Sequence, residues 1–174
     1  MTTTSGDIPG DALPLRGRRV PVSRGMLTGG LLVLLGIWGG LVPFWGPQFG
    51  YAYTPDAAWT WTWGRLWLEV LPGAAAILSG LGLTAATTRT AGLAAGWLAA
   101  FSGAWFVLGP TLSTLWTGST PDAGQPVGTT TVGRVAQEIG FFSGLGVAIL
   151  LLAAVAIGRF ARGSRTPGAP DEPR

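Results

Sequence analysis

GIWGGLVP at residues 36–43 and GAWFVLGP at residues 103–110 decide the reading of this chain, because they are one pattern written twice. Gly36-x-Trp38-x4-Pro43 returns as Gly103-x-Trp105-x4-Pro110, 67 residues later. Downstream of each copy, two more motifs return in the same order. Thr54-Pro55-Asp56-Ala57 comes back as Thr120-Pro121-Asp122-Ala123, and Gly64-Arg65-x3-Glu69-Val70 as Gly133-Arg134-x3-Glu138-Ile139, at offsets of 66 and 69. Constant order with a nearly constant offset predicts a duplicated unit, the small drift being what loop insertions cause.

Both tryptophan motifs sit inside long apolar runs. Four such runs, Leu27–Phe44, Leu66–Ala86, Ala91–Leu112 and Ile139–Ile157, match the ~20 residues that cross a bilayer. They are apolar on every face rather than along one stripe, which argues against the core of a soluble helical domain. Charged residues are 11% of the chain, against ~25% in a typical soluble domain. The expectation is therefore an all-α integral membrane protein with a four-span domain over residues 26-159. Repeat one covers about 27-86 and repeat two about 91-158. Each repeat reads as a span, a loop and a span. A two-span unit returns the chain to its starting side, so its copy keeps the same orientation. The predicted fold is a transmembrane four-helix bundle made of two tandem two-helix hairpins, related by a pseudo-twofold along the membrane normal. The short link Thr87–Thr90 makes the hairpins antiparallel neighbours.

Orientation follows from arginine, since the chain has no lysine. Arg16, Arg18, Arg19 and Arg24 precede the first span, Arg89 lies between spans two and three, and Arg159, Arg162 and Arg165 follow the fourth. Only Arg65 and Arg134 fall on the other side. The positive-inside rule puts both termini and the middle loop in the cytoplasm of a plasma (inner) membrane protein. Segment 1-25 has no apolar core of signal-peptide type. It reads as a disordered cytoplasmic segment, as does the tail 160-174. The arginines flank spans and build no folded basic face, so nucleic acid is not an expected partner. Arginine without lysine, with abundant alanine and glycine, points to a GC-rich bacterial genome.

Cysteine and histidine are both absent. That excludes disulfides, thiol nucleophiles and iron–sulfur ligation, and with them histidine-ligated haem, ordinary zinc sites and histidine-based triads. No cofactor and no metal are expected, and no catalytic constellation is recognisable.

Close packing is expected at Gly36-x3-Gly40, Gly92-x3-Gly96, Gly140-x3-Gly144 and Ala76-x3-Gly80, where small residues let backbones approach in lipid. Pro43 and Pro110 are expected near helix ends, where proline costs little. Trp38 and Trp105 lie five residues earlier, each packing between hairpins with its indole N–H seeking a carbonyl or a water; stacking on a ligand is the alternative. In this layout the chain resembles the SPW-repeat membrane proteins. Gly36, Trp38 and Pro43, and again Gly103, Trp105 and Pro110, match that family's spacing, although the Ser-Pro-Trp triplet is replaced by Val42-Pro43-Phe44 and Gly109-Pro110-Thr111. The resemblance implies a small multi-span protein and no assigned activity.

Chemistry is most concentrated in Arg65, Glu69, Arg134 and Glu138. At i and i+4, each Arg/Glu pair shares a helix face. Both pairs sit at helix N-termini, where the dipole favours glutamate and disfavours arginine. A crossed network, Arg65 with Glu138 and Arg134 with Glu69, would neutralise both arginines. The readings are an ion-pair staple, a proton- or solute-handling site, and a partner-binding site. The loop of the first repeat carries Trp59, Trp61 and Trp63 alternating with threonine, so an extended segment would place all three on one side. This is either an interfacial belt or a platform for sugar, lipid or another membrane protein. The second loop, Ser119 to Thr131, is polar and glycine-rich. The function expected is a non-enzymatic structural or accessory membrane protein. Its partners are the lipid bilayer and either another membrane protein or a second copy of itself. The alternative is a small transporter or channel using the Arg/Glu cluster, and only Ser79 and Ser143 are polar in mid-span below the glutamates.

Overall fold

Threonine sets where three of the four long helices begin. In the computed structural model, which describes residues 23–55, 57–118 and 123–162, the helices are α1 (Ser23–Trp45), α2 (Trp63–Ala85), α3 (Arg89–Thr117) and α4 (Thr131–Ala161). Thr62, Thr88 and Thr130 each hold an extended backbone and accept, through Oγ1, the N–H three residues on: Arg65, Ala91 and Gly133, at 3.1, 3.2 and 3.0 Å. Each satisfies one of the donors a helix leaves unpaired at its start. All four helices are long and apolar enough to cross a membrane, which supports a multi-pass membrane protein. Most of the terminal segments expected to be disordered lies outside the described residues, although the helices run on to Ser23 and Ala161.

Two boundaries differ from expectation. α4 starts at Thr131, eight residues before the apolar run at Ile139. Its first two turns are polar, and the Thr130 cap rather than hydrophobicity fixes the start. Pro43 lies two residues from the end of α1, near a helix end as expected, but Pro110 does not end its helix, and α3 continues to Thr117. Beyond Pro110 the hydroxyls of Ser113, Thr114 and Thr117 donate to the carbonyls of Pro110, Thr111 and Ser113.

α1 packs most extensively on α2, α3 on α4, and α2 on α3. Glycine sets the first two crossings. A Cβ on Gly36 would stand 2.7 Å from the Gly73 carbonyl oxygen, and one on Gly73 would stand 2.8 Å from the Gly40 nitrogen. Between α3 and α4, a Cβ on Gly103 would lie 2.8 Å from the Gly146 oxygen, and one on Gly146 2.6 Å from the Gly103 oxygen. Such backbone-to-backbone approach excludes any larger residue and maximises dispersion contact where lipid offers no hydrophobic drive. Gly36, Gly40 and Gly80 were legible as small-residue pairs. Gly92 and Gly96 instead seat the side chains of Phe160 and Ile157, Gly140 faces Tyr51, and Gly144 faces its own Ile139. The core between the crossings is built from Leu32, Leu68, Phe106, Phe141 and Ile149.

The two long loops meet over one end of the bundle. Tyr53 and Pro126 form an isolated antiparallel bridge, with Thr54 N–H donating to the Gln125 oxygen at 2.9 Å and Val127 N–H to the Ala52 oxygen at 3.1 Å. Tyr53 packs on Phe141 and Phe142, ring centres 4.9 and 5.3 Å away, which seats this bridge on α4.

Candidate functional site

The top of α2 begins with the Thr62 cap, and the next turn carries Arg65. Arg65 is 6% exposed, and its guanidinium is held in place from two sides. It donates to the Thr60 oxygen at 2.5 Å and the Pro55 oxygen at 2.6 Å, and stands 5.8 Å over the Phe44 ring. Arginine is thus the clasp that folds the first loop back onto the helix it precedes, its charge compensated by carbonyl dipoles and a ring face. Trp59 and Trp61 pack on the same Phe44 ring at 6.1 and 5.9 Å, and Trp59 N–H donates to the Phe44 oxygen. Trp59 has φ 58, a left-handed conformation unusual for a bulky residue and held here by that bond and that packing. The three tryptophans remain 68%, 58% and 71% exposed.

The four charges do not assemble as expected. Among the described residues no ion pair links Arg65 or Arg134 to Glu69 or Glu138. Arg134 is exposed and its Nε donates to the Gly128 oxygen at 2.9 Å. Glu138 is exposed as well. Glu69 is 2% exposed, and its Oε2 has no hydrogen-bond partner. The crossed network fails because the two motifs stand at different heights. In α2 a π turn, Leu66–Val70, contains Glu69. In α4 the π turn, Ile139–Ser143, begins only after Glu138. Matched by their π turns, the helices correspond at an offset of 73, not 69, and four residues is about one helical turn. The same offset pairs Gly73 with Gly146 at the two crossings.

Each π turn also frees a backbone carbonyl, and a tryptophan fills it. The Leu71 N–H bonds to Leu66 rather than to Trp67; five residues on from Trp67 is Pro72, which has no N–H to give. Trp105 Nε1 donates to the stranded Trp67 oxygen at 2.8 Å. In α4 the Gly144 N–H goes to Ile139, and Trp38 Nε1 donates to the Gly140 oxygen at 3.0 Å. Each indole thus reaches from one half of the chain into the other, and a π turn without such a donor would leave a carbonyl unpaired in the apolar layer. Pro43 is fully buried in α1, and Pro110 lines a cavity of about 230 Å³ with Tyr53, Thr111, Gln125, Glu138 and Ser143. Burial, and after it the Glu138 carboxylate, push the Tyr53 hydroxyl well above the usual phenol range.

Sequence reasoning missed Gln137. Its buried amide donates from Nε2 to the Gly50 oxygen and accepts the Gly128 N–H at Oε1, both at 2.9 Å, so one side chain ties both loops to α4. Tyr51 adds a hydroxyl bond to the Ala136 oxygen at 2.8 Å. A glutamine inside a polar turn gives no signal of this. Among the described residues no cluster of His, Cys, Asp and Glu could hold a metal ion. No protein-family model matches the chain, and neither a curated protein nor a solved structure matches it.

Proposed function

We propose that this chain is a non-enzymatic structural or accessory membrane protein that acts through partner or lipid contacts at its aromatic loop. One observation carries the reading: Trp59 and Trp61, on a loop that Arg65 and Phe44 hold in a fixed shape, and Trp63, at the start of α2, all stay exposed. Three large rings presented on a pre-organised support lose little entropy on contact, and tryptophan suits both headgroups and protein partners. Below Glu69, the hydroxyls of Ser79 and Ser102 are spent on the carbonyls of Ala76 and Pro72, which speaks against the transporter alternative. Co-purification from gently solubilised native membranes tests the reading. The natural chain should retain a stoichiometric protein or lipid that a Trp59→Ala, Trp61→Ala, Trp63→Ala variant of equal melting temperature loses. Equal retention by both would overturn it.

We place the protein in a bacterial plasma membrane with both termini and Arg89 cytoplasmic, on the arginine asymmetry. The chain is naturally free of cysteine, so single cysteines report topology cleanly. A cysteine at exposed Thr129 should react with an impermeant maleimide in intact cells, and one at Thr87 should not. Gly124 is a poor site for this, because its φ is 79 and a side chain there would meet Thr54. We also read the two halves as copies of one hairpin related by a pseudo-twofold along the membrane normal, in line with the resemblance to SPW-repeat proteins. What supports this is the reciprocal pair of tryptophan-to-π-turn bonds and the Gly36–Gly73 and Gly103–Gly146 crossings.

A further inference from the structure

Glu69 is a carboxyl group that feels the charge of Arg65 but meets no donor at its buried oxygen. It lies within the bundle, 2% exposed, with Oε2 unpartnered. An ionised carboxylate in such a place is expensive unless a cation or several donors meet it. The charged and titratable groups around it are few. On its own helix Arg65 stands one turn earlier, on the same face. That guanidinium is committed to the Thr60 and Pro55 carbonyls and the Phe44 ring instead. Residues 25–45 of α1 and 90–117 of α3 contain no Asp, Glu, Lys, Arg, His or Tyr. The first loop contributes Tyr53, and α4 contributes Glu138, a second carboxylate; Tyr53 lies in the field of both glutamates. Tyr53 and Glu138 supply no positive charge, Arg65 acts on the carboxyl only through its charge from one turn away, and none of the three donates to Oε2.

The remaining counter-charge is a proton. We propose that Glu69 is a proton-binding site, its carboxyl held in the acid form within the folded bundle, able to give up the proton only at the expense of the Arg65 clasp. Arg65 is the one cation within reach on its face of the helix. Ionising Glu69 would draw the guanidinium from the two loop carbonyls toward the carboxylate. The position is specific to one half of the chain, since matching the π turns sets Glu69 against the buried Phe142.

The test is infrared spectroscopy of the full chain reconstituted in lipid at neutral pH. A carboxylic-acid carbonyl band, separate from the amide band, is expected in the natural protein and absent in Glu69→Gln. The band should fade as pH is raised. Dicyclohexylcarbodiimide gives a second readout that needs no variant to fold. The acid proton passes to a carbodiimide nitrogen while the carboxylate oxygen adds to the central carbon. The O-acylisourea then rearranges to an N-acylurea that retains the whole reagent. Mass spectrometry should find the adduct on the peptide carrying Glu69 and not on the one carrying the exposed Glu138. A natural protein without the acid band, or with the band unchanged in a folded Glu69→Gln, overturns the proposal whatever the reagent does. An adduct confined to Glu138 overturns it too.

Discussion

The tops of α2 and α4 carry the same six-residue motif, Gly-Arg-x3-Glu, and use it in opposite ways. In α2 both charged residues are buried, Arg65 clasping a loop and Glu69 standing in the bundle. In α4 both are exposed. The difference is one of helix length. α2 begins at Trp63 and α4 at Thr131, so α4 has an extra polar stretch before its π turn. The motif therefore rides about one turn farther out. The same Arg/Glu pair at the same spacing gives a buried clasp in one half and a solvated face in the other. Residue spacing fixes which side chains share a face, while the helix start fixes how deep that face sits.

Several measurements would break or sharpen this contrast. The largest effect is expected at Arg65. Arg65→Ala removes two charge-assisted bonds from a buried position and should cost about 3 kcal/mol. Arg134→Ala, at an exposed site, should stay within about 1 kcal/mol. Melting of the two variants in the same detergent decides it, and equal losses would mean that the two tops are equivalent after all. Next comes Gln137→Ala, which strands the Gly50 carbonyl and the Gly128 N–H together. A loss of about 2 kcal/mol is expected, with faster hydrogen exchange in both loops at once. A loss confined to one loop would contradict the shared clamp.

Trp38→Phe and Trp105→Phe keep a ring and delete the indole donor. Each should cost about 1 kcal/mol, and the two should add within about 0.5 kcal/mol, because they serve separate π turns. Unequal costs would show that Pro72, present only in α2, makes the Trp67 carbonyl the needier of the two. The smallest effect is a pH slope. Burial and Glu138 raise the Tyr53 hydroxyl above its ordinary value. The folded state then keeps a proton that the unfolded chain loses near pH ~10. The Tyr53 contribution to stability should be level below that point and fall as pH rises beyond it. Tyr53→Phe should flatten the slope.

The sequence by itself determined the class and most of the frame. Four apolar runs of bilayer length, apolar all round, leave no other economical fold, because backbone groups in lipid must be paired within the helix. The tryptophan–proline motif was also legible, down to an indole N–H looking for a carbonyl. Only the tertiary structure decided which carbonyl. Trp38 and Trp105 reach the π turns of the opposite half, and a π turn depends on the register between helices as much as on its own residues. The same holds for charge. The Gly-Arg-x3-Glu repeat suggested a four-way ion network, because spacing along a chain carries no information on depth. Depth comes from where Thr62 and Thr130 start their helices and from where Gly73 and Gly146 let them cross. Those contacts pair residues far apart in sequence, which is why Glu69 is buried and Glu138 is not.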